Sequence, residues 1–230
     1  MTEKNEPSTL FDFDRIASGY DKWYETAEGR LFDMLEKRAL RSLIGEVDTG
    51  ENLLEVGAGT GWWSHFFSEL GYRVTGVDFS PKMVEIANSK TIPNARFEKA
   101  DANKLTFPDH HFSASAAITT IEFTPEPKTV IREMVRCTKS GGKLFLGVLN
   151  GDAPLNKQRK KQAEGPFKYA HFFTAEEIYA LLAPYGKPAI NPCAFPLSLK
   201  LPLSIAGMAD DFQTFLKRTS GALIVAGLEL

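Results

Sequence analysis

From Glu51 onward, short apolar runs rich in β-branched residues alternate with segments whose apolar residues repeat at helical spacing. This alternation predicts a doubly wound α/β fold, a mostly parallel sheet covered by helices on both faces. The predicted strands are Asn52–Val56, Tyr72–Val77, Ala95–Lys99, Phe112–Thr119, Lys143–Leu149, Lys187–Pro192 and Ala222–Leu228. The predicted helices are Phe11–Tyr24, Arg30–Leu43, Trp62–Leu70, one that begins at Ser80-Pro81, Glu126–Thr138 and one that begins at Thr174.

The first two of these helices precede the first strand of the sheet. Helices in that place either cover the sheet or lie over the strand ends, where an open α/β sheet binds its ligand. Both roles stay open from the pattern alone.

Composition narrows the class of protein. Of 230 residues, 43% are hydrophobic and 24% are charged, as in a globular domain. The net charge of −2 argues against a general nucleic-acid-binding protein. Two cysteines without paired spacing, Cys137 and Cys193, exclude a cysteine-built metal site, and no other metal-ligand spacing occurs, so we expect no metal.

Two segments bear on location and partners. The polar, acidic start of the chain lacks the features of a signal peptide, which favours a cytoplasmic protein. The apolar segment from Ala194 to Ala209 is interrupted by prolines and a lysine, so we expect no membrane span. It is a candidate lining of an apolar acceptor pocket or a candidate dimer face, and a monomer and a homodimer both stay open.

A glycine-rich loop follows the first strand. Gly57, Gly59 and Gly61 alternate with Ala58 and Thr60, and residues without a Cβ let the backbone turn sharply and approach a ligand closely. Trp62 stands where a dinucleotide-binding fingerprint has its third glycine or alanine, and the lysine of a P-loop is missing. The loop therefore predicts a ligand that lies flat against the backbone.

Two acidic residues follow the next two strands. Asp78 ends the second strand, where a carboxylate in a nucleotide-type site accepts hydrogen bonds from both ribose hydroxyls. Asp101 follows the third strand, in reach of an adenine amino group. Each aspartate alone is typical of a loop cap, but together, at consecutive strand ends after a glycine loop, they favour a binding site.

This combination resembles the class I S-adenosylmethionine-dependent methyltransferases, in particular the type-11 group that acts mainly on small molecules. The resemblance runs from about Phe11 to Ala183 and rests on motifs that are specific only as a set. They are Glu55-Val-Gly-Ala-Gly-Thr-Gly61, Val77-Asp78, Ser80-Pro81 with Met83, Ala100-Asp101-Ala102, Ile121 to Pro127, Arg132-Glu-Met and Gly141-Gly-Lys-Leu.

The resemblance implies a Rossmann-like fold with an antiparallel last strand, S-adenosylmethionine as cofactor, S-adenosylhomocysteine as product and a small-molecule acceptor. It also implies that Glu55 and the glycines shape the methionine end, that Asp78 holds the ribose, and that Asp101, Ala102 and Met83 flank the adenine. The predicted cofactor-binding residues are Tyr20, Tyr24, Glu55, Gly57, Ala58, Gly59, Gly61, Asp78, Phe79, Met83, Asp101, Ala102 and Thr119.

In similar proteins the N-terminal segment closes over the cofactor with an aromatic hydroxyl at its carboxylate. Tyr20 is our first candidate for that contact and Tyr24 the second, against simple packing of both rings. We expect one domain, with an N-terminal helical lid over residues 1–45, a cofactor-binding core over 46–150, and an acceptor-side segment with the last strands over 151–230.

Methyl transfer needs a general base only for a weakly acidic nucleophile. The candidates are His171, which precedes a capped helix, and Glu122, which follows the fourth strand. Many members of the family that this chain resembles have Glu-His at the second position, and this chain has Phe123 in place of the histidine. Structural roles compete for both. The acceptor atom (O, N, C or S) stays open, and the alternative function is a non-catalytic module that binds S-adenosylmethionine or S-adenosylhomocysteine.

Overall fold

The computed structural model describes residues 9–161 and 164–230, and a seven-stranded sheet forms its framework. The strands are β1 Asn52–Val56, β2 Arg73–Asp78, β3 Ala95–Lys99, β4 Phe112–Ile118, β5 Thr138–Leu149, β6 Ala189–Cys193 and β7 Leu223–Glu229. Their order is β3-β2-β1-β4-β5-β7-β6, with β7 antiparallel to both of its neighbours and the pairs from β3 to β5 parallel. The predicted fold class, including the antiparallel last strand, is therefore confirmed.

Helices cover both faces of this sheet. They are α1 Ala27–Ile44, α2 Trp62–Glu69, α3 Pro81–Ser89, α4 Pro127–Cys137, α5 Pro154–Arg159, α6 Ala175–Leu182 and α7 Leu203–Phe215. The apolar sides of α4 and α6 pack with one face of the sheet, and those of α1 and α2 pack with the other. Burial on both faces explains why the strands are nearly continuous apolar runs.

Local capping explains why two of the predicted helices begin where they do. The Ser80 hydroxyl accepts a hydrogen bond from the Met83 N–H at 3.1 Å, and Pro81 occupies the first turn of α3. At α6, Thr174 and Glu177 form a complete capping box, in which each side chain accepts a hydrogen bond from the other residue's backbone N–H.

The N-terminal segment differs from the single helix predicted over Phe11–Tyr24. It forms two 3-10 helices, Phe13–Arg15 and Ala17–Trp23. Asp12 caps the first, and the carboxylates of Asp14 and Asp21 accept hydrogen bonds from Ser80 at the start of α3 and from Thr60 in the loop after β1. Tertiary contacts thus override the helical spacing of the apolar residues. Residues 1–8 of the predicted lid, and 162–163 of the acceptor-side segment, lie outside the described residues.

Two helices were missing from the prediction, and some boundaries were wrong. Both α5 and α7 lie in segments where prolines or a lysine interrupt the apolar pattern. β5 begins at Thr138, five residues before the predicted start at Lys143, so residues 139–142 also belong to the strand.

The topology places a ligand site between β1 and β4. β2 extends the sheet on one side of β1 and β4 extends it on the other, which makes this the switch point where open α/β sheets bind ligands beyond the carboxyl ends of their strands. Across residues 9–161 and 164–230, no helix combines the length and the apolar composition needed to cross a bilayer.

Candidate active site

A cavity of about 500 Å³ lies at this switch point. Its volume falls within the range of small-molecule sites, roughly 300–1,000 Å³. It is lined by the ends of β1, β2 and β4, the residues after β3, and the N-terminal segment. The predicted cofactor-binding residues that line it are Tyr20, Tyr24, Gly57, Ala58, Gly59, Asp78, Phe79, Met83, Asp101, Ala102 and Thr119.

The glycine loop forms the floor of this cavity. Gly59 has a φ of +54°, and a Cβ added to it would meet no atom within 4 Å, so a side chain there would project into open space. Gly57 has a φ of +71°, and its Cβ would overlap the Thr120 side chain at 2.2 Å. Gly57 is therefore needed for the close approach of Thr120 after β4, whereas at Gly59 the positive φ favours glycine and the space above the loop is open.

The Asp78 carboxylate is held in place by the backbone. Its Oδ2 accepts a hydrogen bond from the Gly59 N–H and its Oδ1 accepts one from the Ser80 N–H, both at 2.8 Å. Burial raises the pKa of Asp78, while these N–H donors act in the opposite direction. Each oxygen retains a lone pair for a ligand hydroxyl, and the carboxylate lies between the glycine loop and the start of α3.

The turn after β3 positions a second carboxylate. Asp101 Oδ1 accepts hydrogen bonds from the Asn103 N–H at 2.9 Å and from its side-chain amide at 3.0 Å. Met83 is 1% exposed and lines the cavity near this turn, and Phe79 is partly exposed with the Lys99 ammonium 5.6 Å from its ring centre.

Residues 9–24, which we call the strap, form the outer wall of the cavity. The Leu10 N–H donates to the Phe123 carbonyl at 2.7 Å. The hydroxyl of Ser80, at the start of α3, donates to the Asp14 carboxylate. Asp21 accepts from the Thr60 hydroxyl at 2.6 Å. The strap is thus attached to the end of β4, to α3 and to the glycine loop.

Both tyrosines of the strap face the cavity. Tyr24 stacks on Trp62 with ring centres 4.2 Å apart and planes 10° apart, and the Trp62 indole N–H donates to Asp33 at 2.7 Å. Burial, together with the charge of Asp78, raises the pKa of Tyr20 to about 12. Its hydroxyl therefore stays protonated and available as a hydrogen-bond donor.

Two predicted cofactor-binding residues lie outside the cavity lining. Glu55 is 2% exposed and accepts a hydrogen bond from the Ser64 hydroxyl, which joins β1 to α2 beneath the loop. Burial raises its pKa to about 8. A Cβ on Gly61 would lie 2.8 Å from Ile92 and 3.0 Å from Phe97, so this glycine lets the loop pack against its neighbours.

Neither predicted base reaches the cavity wall. The His171 side chain is 52% exposed, and its Nε2 lies 3.2 Å from Glu177 Oε1 beside the capping box. Glu122 is fully buried, and its Oε1 accepts a hydrogen bond from the Leu149 N–H at 2.7 Å, which ties the end of β4 to the end of β5. Burial raises the pKa of Glu122 to about 7. These contacts hold both side chains outside the cavity lining, and the second carboxylate oxygen of Glu122, Oε2, is buried without a hydrogen-bond partner. No metal-holding group of three or more His, Cys, Asp or Glu occurs among the described residues.

Sequence reasoning missed the aromatic end of the cavity. Phe11, Phe13, Trp63 and Phe123 line it, and the Phe13 ring meets the rings of Phe11 and Phe123 edge to face at 5.1 Å each. The replacement of a histidine by Phe123 was the one available signal. The chain shows no signal for the others, because the strap and β4 are distant in sequence.

Comparisons with known proteins agree with this geometry. Residues 54–146 match the type-11 methyltransferase domain family. An uncharacterized protein of Methanocaldococcus jannaschii is 32% identical over 176 residues, which are 76% of this chain and 80% of the relative. A demethylmenaquinone methyltransferase of Renibacterium salmoninarum is 30% identical over 187 residues, 80% of this chain and 71% of the relative.

A solved structure shares the fold over nearly the whole chain. It is described as an S-adenosylmethionine-dependent methyltransferase, a possible histamine N-methyltransferase, from Thermotoga maritima. The TM-score is 0.74 at 24% identity, and the match covers 94% of this chain and 96% of that one. The two curated relatives are similar over most of their own length, and family membership favours an enzyme over a non-catalytic binding module. The chain belongs to the class I S-adenosylmethionine-dependent methyltransferases.

Proposed function

We propose that this methyltransferase transfers the methyl group to a small molecule whose accepting part is an aromatic ring. The observation that carries the proposal is the make-up of the cavity lining, which combines two carboxylates, Asp78 and Asp101 (the polar end), with a cluster of rings, Phe11, Phe13 and Phe123 (the aromatic end). The relative named demethylmenaquinone methyltransferase supports an acceptor of the quinone-ring class.

The polar end fits the cofactor of the family. We propose that Asp78 accepts hydrogen bonds from the ribose hydroxyls, that Asp101, Ala102 and Met83 surround the adenine, and that Tyr20 donates to the cofactor carboxylate. Two observations support this assignment, the open space above Gly59 and the carboxylate that two backbone N–H groups hold at the second strand end. When bound, S-adenosylmethionine would supply a methyl group activated by the sulfonium; the acceptor's nucleophilic atom would bond to the methyl carbon in line as the carbon–sulfur bond breaks and S-adenosylhomocysteine leaves.

The chain's own contribution is positioning and the exclusion of water. The strap covers the cavity through its three attachments, and the aromatic rings leave a flat acceptor few orientations. Alignment of two reactants in a closed site accounts for roughly 7–11 kcal/mol of a reaction barrier. Thr119 supports a functional role for the end of β4, because its φ of +49° is strained for a β-branched residue.

We infer that no side chain of this cavity acts as a general base. Neither histidine nor glutamate occurs among the described residues that line it. Asp12 caps the first turn of the strap, and Asp14 accepts from Ser80, so both strap carboxylates that line the cavity serve structure. The acceptor therefore enters with an available lone pair or already ionised, as an acidic ring does more readily than an alcohol.

The test is an acceptor screen with a matched pair of variants. Calorimetry establishes the Kd of S-adenosylmethionine, and product mass establishes methyl transfer to hydroquinone-type rings and to small polar amines. We expect transfer to the rings. Phe123→Leu should raise the acceptor KM about threefold to tenfold and leave the cofactor Kd unchanged. Phe79→Leu, at the other end, should weaken cofactor binding and leave the acceptor KM unchanged.

His171→Ala serves as a further control, with no change in kcat expected because the imidazole lies outside the cavity. Methylation of polar amines without any methylation of rings would overturn the proposed acceptor class. A large loss of kcat in His171→Ala would overturn the inference that no side-chain base acts.

A further inference from the structure

The helix α7 presents its large apolar side chains to solvent. Ile205, Met208, Phe212 and Phe215 lie on one stripe of the helix, and Leu216 continues it at the C-cap. Met208, Phe212 and Phe215 are 64%, 61% and 79% exposed. The spacing of three to four residues places them on a common side. A surface helix normally turns such a stripe toward the core, whereas the stripe of α7 faces solvent.

The opposite side of α7 faces the protein and is built from small or polar residues. Ala206, Gly207 and Asp210 are buried there. Asp210 is 4% exposed, and its two oxygens accept hydrogen bonds from the Ala194 N–H at 3.0 Å and the Phe195 N–H at 2.9 Å. A buried carboxylate with two fixed donors sets the rotation of the helix about its axis.

Contacts with α1 fix the same orientation. A Cβ on Gly207 would lie 3.4 Å from the Arg38 side chain, which indicates that the two helices approach closely at this point. Arg38 also binds Asp211 through both of its side-chain oxygens, with Nε at 3.1 and 3.0 Å. The outward position of the apolar stripe is therefore a built feature of the fold.

Basic residues stand at both ends of the stripe. Lys200 precedes α7, and Lys217 and Arg218 follow it, all three exposed. None of them takes part in the ion pairs formed within residues 9–161 and 164–230. Asp211, the acidic residue on the exposed part of α7, forms an ion pair with Arg38. An exposed apolar stripe with cations beyond both of its ends is complementary to an anionic bilayer surface, which offers acyl chains to the stripe and negative headgroups to the cations.

A second copy of the chain fits this face less well. Pairing of α7 with its own copy about a two-fold axis brings Lys217 and Arg218 either against Lys200 or against themselves, and both arrangements oppose like charges. The stripe is also small. Thirteen residues at a rise of 1.5 Å, on a helix about 10 Å wide, cover roughly 200 Å². A standard protein interface buries about 800 Å² on each partner.

The position of α7 relates the stripe to the cavity. β6 runs parallel to the strands that end at the cavity, since both it and β5 are antiparallel to β7. The segment from Cys193 to Leu223, which contains α7, therefore begins and ends at the same edge of the sheet as the cavity.

We propose that the outer stripe of α7 docks the enzyme on the surface of an anionic lipid bilayer, with the apolar side chains among the acyl chains and the basic residues at the headgroups. This docking does not depend on which acceptor is methylated. It orients the sheet edge that carries the cavity toward the bilayer region, where apolar acceptors reside.

The test is co-sedimentation of the full chain with vesicles, without cofactor or acceptor. The vesicles contain phosphatidylcholine alone or phosphatidylcholine mixed with phosphatidylglycerol. We expect binding to the mixed vesicles that weakens with added salt. The double variant Phe212→Ser with Phe215→Ser should bind the mixed vesicles at least about tenfold more weakly. Tyr179→Ser on α6, which changes an aromatic ring that is 51% exposed, is the matched control and should bind like the unmodified chain.

A second variant keeps the stripe intact. Lys217→Glu with Arg218→Glu should weaken binding to the mixed vesicles at least ~25-fold, about fivefold for each cation removed. This variant decides the question if the serine variant fails to fold by circular dichroism. No sedimentation of the unmodified chain at low salt would overturn the proposal. The proposal would also be overturned if light scattering showed that the unmodified chain is a dimer and that the double variant Phe212→Ser with Phe215→Ser is a monomer.

Discussion

The substitution Asp78→Asn changes one oxygen of the proposed ribose-binding carboxylate and keeps its shape. Both oxygens of Asp78 already accept a backbone N–H at 2.8 Å, from Gly59 and from Ser80. An asparagine has one acceptor oxygen and an NH2 group that donates only. It therefore leaves one of the two backbone N–H groups without its acceptor and removes the charge that the ligand hydroxyls face.

The expected magnitude follows from the bonds that are lost. A hydrogen bond to a charged group contributes about 1.5–3 kcal/mol, and the variant loses at least one such bond to the ligand together with part of the second. We expect binding of S-adenosylmethionine and of S-adenosylhomocysteine to weaken by about 2–4 kcal/mol, which is roughly 30-fold to 700-fold. Both ligands should be affected alike, because both carry the ribose.

Calorimetric titration of both ligands measures the change, with thermal unfolding recorded alongside. Asp109→Asn is the matched control, because the Asp109 carboxylate is 64% exposed, pairs with Arg136 at 2.7 Å and precedes β4 at the other edge of the sheet. It should leave the ligand Kd unchanged. An Asp78→Asn protein that folds and binds both ligands within twofold of the unmodified chain would refute the assignment of this carboxylate to the ribose.

Two further predictions test the loop and a buried acid. Gly59→Val should abolish cofactor binding in calorimetry, because the new side chain enters the open space above the loop. The chain should stay folded, since the positive φ costs valine about 1–2 kcal/mol of strain. An unfolded variant, or an unchanged affinity, would contradict this. Burial raises the pKa of Glu55 from its ordinary value of 4.5 to about 8. Between these two pH values the folded protein therefore holds a proton that the unfolded chain has lost. The free energy of unfolding should fall as the pH rises through that window. Glu55→Gln should flatten the fall by up to ~1.4 kcal/mol per pH unit in urea unfolding, and an unchanged slope would exclude Glu55 as its source.

The sequence by itself determined the sheet and the polar end of the cavity. Alternating apolar runs, the glycine loop and an aspartate after each of two strands are local patterns. The carboxyl ends of parallel strands meet at one edge of a sheet, so such patterns are enough to bring Gly59, Asp78 and Asp101 together.

The tertiary structure decided which side chains of those motifs face the ligand. Glu55 lies in a cofactor motif, yet it points beneath the loop to Ser64, because side chains of a strand alternate between the two faces. Gly61 likewise packs against Ile92 and Phe97. His171 and Glu122 lie near the right elements but are held by Glu177 and by the Leu149 N–H, contacts that no sequence spacing indicates.

Only the tertiary structure joined the strap to Phe123 and turned the apolar stripe of α7 outward. Both depend on contacts between distant parts of the chain, Leu10 with Phe123 in the first case and Asp210 with the turn after β6 in the second. The hydrophobic pattern of a sequence predicts which apolar residues share one side of a helix, but not whether that side faces the protein or the solvent. Which side faces the protein is set by the partner surface. Here the partner surface presents the Ala194 and Phe195 N–H groups, and a rotation of α7 that buried the stripe would take the Asp210 carboxylate away from both donors.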